Sequence, residues 1–202
     1  MKKGYLSQYF EGVAVKTLSA VEADVLTSHQ HEFNGVEGLR NLLGEPDGKE
    51  RYPARFLYLT DNEDEPVMEE GFLTWYDARQ KARSERGIMR WEYRLYFPTN
   101  LVSQCANIGD ILVIAKRPDN TLLSIVAEAG TTISQQILWL FGLTDLSHPG
   151  FSVRDELETE QDRIEFASRF ILESLGIPVE ITEDTYLDAM IRKFSGMFPT
   201  TK

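Results

Sequence analysis

The chain has 202 residues, enough to bury one core or to build one domain with an appendage. Its hydrophobic fraction of 42% and charged fraction of 26% are ordinary for a globular protein, and its longest apolar stretches have strand length rather than the about 18 residues of a membrane span. A formal net charge of −11 argues against generic, charge-driven binding to nucleic acids or anionic surfaces, so any such binding has to rest on a local patch.

In chain order, Gly12-Val13-Ala14-Val15-Lys16 is predicted as the opening strand, and Ser19-Ala20-Val21-Glu22 has the spacing of a capping box, so a short helical turn follows. Ser28 to Gly35 is polar except for Phe33 and reads as a loop. Val36, Leu39, Leu42 and Leu43 then fall at helical spacing and end at Gly44, with a turn at Glu45-Pro46-Asp47-Gly48. Arg55 to Leu59 is a strand. Asp61 to Glu70 holds six acids and no base and reads as a solvated connection, after which Phe72 to Tyr76 is a strand.

The stretch from Asp77 to Arg94 opposes the charge of its surroundings, with six basic residues against three acidic ones. Gln80 to Gly87 has no large apolar residue to bury, so a loop is predicted there. Ile88 to Phe97 then alternates, with Trp91, Tyr93, Leu95 and Phe97 on one face and Arg90, Glu92, Arg94 and Tyr96 on the other, the mark of a half-buried strand. Asp110 to Lys116 and Leu122 to Ala127 form a hairpin around Pro118-Asp119-Asn120. Gly130-Thr131-Thr132 opens a helix from about Ile133 to Phe141, stopped by Gly142. Six or seven strands with two short helices before residue 145 predict a mainly β (α+β) barrel or sandwich rather than a parallel α/β sheet. Residues 151–202 carry eleven acids and six bases and turn helical: Ile164 to Leu175 suggests one helix and Glu183 to Phe194 another. A boundary is therefore placed near residue 150, with an acidic helical linker after it.

Chemistry concentrates in two places. Lys81, Arg83, Glu85 and Arg86 alternate with small residues, and this mix suits base readout: Arg or Lys donates to guanine, Glu accepts from the cytosine amino group, and further bases such as Arg79 hold phosphates. The same residues also fit a solvated hairpin loop laced with salt bridges. His29, Gln30, His31 and Asn34 offer donors and acceptors suited to base edges, but a plain polar loop before a helix is the default reading of them; as metal ligands the two histidines lack partners nearby. Cys105 is the only cysteine, which excludes an internal disulfide and disfavours structural zinc. No signal-peptide pattern opens the chain, so the cytoplasm is the expected compartment. No Gly-x-Ser-x-Gly elbow, Walker loop or His-Glu-x-x-His occurs. Pro46-Asp47-Gly48-Lys49 has the look of a nuclease carboxylate motif, but it is a turn and no Glu-x-Lys follows. Trp75, Tyr76, Trp91 and Tyr93 could stack on bases, although strand aromatics more commonly fill cores. Lys16→Ala is expected to do nothing to binding.

His29-Gln30 together with Lys81-x-Arg83-x-Glu85-Arg86 resembles the N-terminal effector-binding domain of EcoRII-type (type IIE) restriction endonucleases, whose pseudobarrel is shared with the plant B-three transcription-factor domains. In that family the second stretch runs Lys-x-Arg-Asn-Glu-Lys/Arg, then Arg-Ile-Thr; here Ser84 stands for the Asn, Gly87 for the following Arg and Met89 for the Thr. Glu128-Ala129-Gly130-Thr131-Thr132 and Gln136 to Gly142 are similar to the family as well. The resemblance covers residues 10 to 145 and implies a pseudobarrel of about seven strands that grips duplex DNA through two protruding loops in the major groove. It implies DNA contacts by His29, Gln30, Asn34, Lys81, Arg83, Glu85 and Arg86, to which Arg79 is added as a further DNA-binding candidate, and no catalytic or metal residue in this chain. Cleavage, its magnesium and a homodimer contact would belong to a separate C-terminal nuclease domain, which 151–202 would lead toward and which this domain would control allosterically. The alternative reading is a non-catalytic pseudobarrel that binds RNA or a protein partner.

Overall fold

The computed structural model describes residues 6–24, 28, 31–62, 66–87, 89–143, 146, 150–154, 157 and 169–178. The protein is mainly β. Eight strands build one sheet: β1 (Gly12–Thr17), β2 (Glu32–Asn34), β3 (Lys49–Leu59), β4 (Val67–Asp77), β5 (Tyr93–Tyr96), β6 (Ile111–Lys116), β7 (Leu122–Ala127) and β8 (Ser152–Arg154). Their order across the sheet is β2-β5-β4-β3-β7-β6-β1-β8. All pairings are antiparallel except that of β3 with β7. Short helices decorate it: α1 (Ala20–Ala23), α2 (Glu37–Leu43), α3 (Gln80–Arg86), α4 (Leu101–Cys105), α5 (Thr132–Leu140) and α6 (Arg169–Ser174).

The sheet curls until its two edges meet. Phe33 of edge strand β2 touches Phe151, the residue before the opposite edge strand β8, ring edge to ring face at 6.0 Å. Phe33 also stacks on Phe97 at 4.5 Å. Contacts of α2 with β8 and β1 fill the remaining gap, and Gly38 allows the approach, since a Cβ there would lie 2.8 Å from Val153. The inner core contains Ala14, Phe33, Leu39, Phe56, Leu73, Trp75, Leu95, Leu112 and Ile114.

Burial explains the sequence pattern. On β1, β6 and β7 both faces are covered: Val13, Val15, Val113, Leu123 and Ile125 point away from the inner core into a second one with Ile137, Leu140 and Phe141. These strands therefore read as unbroken apolar runs. On β4, β5 and β2 the inner face is buried while the outer face, Thr74 excepted, is not, and the sequence alternates; Tyr93, Leu95 and Phe97 point inward as predicted.

Several elements differ from the sequence expectation. Residues 28–35, predicted as a loop, include strand β2, held by its backbone pairing with β5 and by the buried Phe33 ring. The acidic connection ends at Pro66: Val67 to Glu70 belongs to β4, where Glu70 sits opposite Arg55 and pairs with it at 2.6 Å, and Glu69 accepts from the Leu101 amide at 2.7 Å. β3 starts at Lys49 rather than Arg55. Pro53 is tolerated inside it because β7 joins β3 only from Ala54 onward. Helix α4, unanticipated, is set by Asn100, whose side chain accepts from the Ser103 amide at 2.8 Å. Past residue 150, β8 pairs with β1, and Phe151, Leu157, Ile171, Leu172, Leu175 and Ile177 are buried, so this part of the tail packs on the sheet. The second tail helix, Glu183 to Phe194, lies outside the described residues.

Candidate nucleic-acid interface

The basic stretch is a helix rather than the predicted loop. Absence of large apolar residues does not forbid one: Lys81, Ala82, Arg83, Glu85 and Arg86 are strong helix formers, and Lys81 reaches Glu85 one turn on at 3.8 Å. Gly87 ends α3 in the left-handed region (φ 65°), its amide donating to the Arg83 carbonyl at 3.0 Å. None of the α3 residues is buried. What holds the helix is therefore its side chains.

Asp77, the last residue of β4, is the anchor. It is 7% exposed. One carboxylate oxygen accepts from the amides of Arg79 at 2.9 Å and Glu92 at 3.0 Å, and the other from an Arg83 guanidinium nitrogen. Burial alone would push this carboxyl up, but the two amides and the guanidinium outweigh it and hold it below its ordinary value. The two ends of the β4–β5 connection are thus tied to one buried charge. Arg79 donates to Glu92, which also accepts from Arg94; these two guanidiniums lower the Glu92 carboxyl.

Arg83 lies over Trp91, its Cζ 3.3 Å from the ring centroid. Trp91 stacks on Tyr93 at 5.8 Å and Tyr93 on Trp75 at 5.3 Å, so a four-member column runs from the helix into the core. Trp75 ends it by donating to the Gly44 carbonyl at 2.9 Å. The predicted strand face that included Trp91 is thus only partly realised: β5 begins at Tyr93, and Trp91 is 48% exposed beneath the arginine.

The expected contact residues divide accordingly. Lys81, Glu85 and Arg86 are exposed on α3. Arg83 is turned inward, its side chain only 18% exposed, and Arg79, at the helix start, is engaged by Glu92. Asn34 is exposed at the end of β2, opposite Arg94. His29 and Gln30 lie outside the described residues. The sequence reading missed the anchoring roles of Asp77 and Glu92; Asp77 was visible as an acid opening a basic run, but its burial was not. Among the described residues no group of three or more His, Cys, Asp or Glu side chains could hold a metal ion, and no helix is long and apolar enough to cross a membrane.

No protein-family model matches the chain, and no curated protein does. Among solved structures it is similar to the N-terminal domain of Helicobacter pylori LlaJI.R1, at 9% identity and a TM-score of 0.43, over 72% of this chain and 98% of that one.

Proposed function

We propose that this chain is a sequence-specific duplex-DNA-binding module, the effector-binding domain of an EcoRII-like type II restriction endonuclease, with cleavage left to a separate nuclease domain. The observation that carries the reading is helix α3: a short, exposed, basic element on an acidic protein, presenting Lys81, Glu85 and Arg86 outward while Arg83 is clamped by Asp77 and Trp91. A rigid mount suits base reading, because discrimination depends on fixed donor and acceptor positions. Donors for guanine and an acceptor for cytosine stand on one helix of a size that the major groove admits. Asn34 and the neighbouring His29 and Gln30 supply the second contact segment.

Fluorescence anisotropy of the chain with a short duplex carrying a CCWGG-like site, against a scrambled duplex at two salt concentrations, tests this. A preference of roughly a thousandfold is the expected outcome. Salt-sensitive binding without preference keeps the DNA and moves the target to another sequence. Absence of binding to either duplex sinks the reading and turns attention to RNA or a protein partner.

A further inference from the structure

The outer face of β3, β4, β5 and β2 carries a second cluster that the α3 site does not use. Cross-strand register sets Lys49 beside Tyr76, Tyr76 beside Arg94 and Arg94 beside Asn34; one step along, Arg51 lies beside Thr74, Thr74 beside Tyr96 and Tyr96 beside Glu32. Glu32, Lys49, Arg51, Phe72, Thr74, Tyr76 and Tyr96 line an open cleft of about 380 Å³. α3 leaves this face just past Asp77. His31 leads into β2 at the opposite end, where its carbonyl accepts from the Phe97 amide and Glu32 pairs with Tyr96. The cleft therefore lies between α3 and the start of β2.

Its cations are free and pre-positioned. Arg51 is exposed and lies on the Phe72 ring, Cζ 3.6 Å from the centroid; Lys49 is exposed and lies 5.0 Å from that of Tyr76. Neither forms an ion pair among the described residues. The nearby acids are engaged: Glu32 accepts from the Tyr76 hydroxyl, Glu70 pairs with Arg55, and Glu92 accepts from Arg79 and Arg94. Aromatic seats remove part of the rotamer freedom that a long side chain otherwise loses on binding. Lys49 and Arg51 sit two residues apart on one strand, about 7 Å along it. Two ring-seated cations about one pleat apart on a rigid sheet suit an extended row of negative charges.

We propose that this face seats the sugar–phosphate backbone of the duplex, with Lys49 and Arg51 as phosphate contacts that set the register at which α3 meets the base edges. The inference rests on the DNA-binding reading above. The test is the salt dependence of binding for the Lys49→Ala/Arg51→Ala double variant, with Arg86→Ala in parallel, on the preferred and the scrambled duplex; both substituted residues are exposed, and an unchanged melting temperature checks the fold. The double variant is expected to lose affinity for both duplexes by the same factor, with the slope of log K against log salt shallower by about 2. If wild type binds DNA and Arg86→Ala flattens its slope while the double variant leaves it unchanged, the face is not the seat and only this inference falls. A loss confined to the preferred duplex also overturns it, because the pair would then be reading bases. If wild type binds no DNA at either salt, the underlying reading falls and takes the seat with it.

Discussion

Arg83 is held from two sides: its guanidinium donates to the buried carboxylate of Asp77 and lies 3.3 Å from the centre of the Trp91 ring. Two consequences follow for substitutions. Asp77→Ala removes the acceptor of two amides and leaves the inward-turned arginine unpaired. It is expected to cost about 3–5 kcal/mol in urea unfolding, the range for breaking a buried ion pair. Arg83→Lys keeps the charge but loses the planar stack on Trp91, so it should weaken DNA binding nearly as much as Arg83→Ala. A lysine variant with wild-type binding would show that the stack does not position the helix.

Glu85 and Arg86, both exposed on α3, should behave differently from Arg83 and from each other. Glu85→Ala is expected to relax discrimination at one base pair by about 1–3 kcal/mol, with little change in binding to a scrambled duplex. Arg86→Ala should weaken binding to every duplex and reduce the salt slope by about 1 if it holds a phosphate. Competition titrations against single-base variants of the preferred site separate the two. Equal losses in both variants on all duplexes would remove Glu85 from the base-reading set.

The aromatic column closes over a glycine. A Cβ built on Gly35 would lie 2.6 Å from Trp75 Cη2 and 2.6 Å from Tyr93 Cβ, both parts of packed rings or backbone-near atoms that cannot swing aside. Gly35→Ala is therefore expected to destabilise the protein by about 1–3 kcal/mol, as overpacking does. Because it pushes on Tyr93, it should also disturb the Trp91 seat and lower DNA affinity. Thermal melts and tryptophan emission measured together check this, and an unshifted emission maximum would uncouple Gly35 from Trp91.

How much of this was legible in the residues depends on what each segment buries. β1, β6 and β7 are apolar on both faces, so their strands stand out in the sequence. Ser19 to Glu22 was likewise readable, and the Ser19 amide donates to the Glu22 carboxylate at 3.0 Å. α3 was not, because its stability comes from helix-forming charged residues and from Asp77, a contact spanning six positions that no apolar period encodes. β2 was hidden for a related reason: three residues with one inward ring carry too little pattern to reveal a strand. The functional types on α3 were legible, but which arginine faces outward was not. That is decided by the position of Trp91 after the chain has turned back at Gly87.

Lys16 shows the same point from the other side. Expected from the sequence to be neutral for binding, it matters instead to the fold: it is 6% exposed, pairs with Glu22, and stands 5.9 Å from the Phe33 ring and 5.6 Å from that of Phe151. It sits where the sheet edges meet. Lys16→Ala should cost about 3 kcal/mol, since it leaves a largely buried carboxylate without its counter-charge, whereas Lys16→Met/Glu22→Leu should recover most of that loss. Urea denaturation of the single and double variants gives the comparison, and a double variant no better than the single would assign the loss to packing rather than to charge.

Acid should release the α3 mount at a defined point. The folded Asp77 carboxyl is held below its ordinary 3.8, so folding favours the ionised form. A group with a depressed folded pKa contributes stability that is fully present above its unfolded value and is lost as pH falls through the folded one. The Asp77 contribution should therefore be flat at neutral pH and vanish only below about pH 4. Asp77→Asn removes this dependence. The stability gap between wild type and Asp77→Asn, read from urea midpoints, is expected to be constant from neutral pH down to about 5 and to narrow below 4. A gap that already narrows near pH 6 would mean that a different group, with a raised pKa, controls the mount.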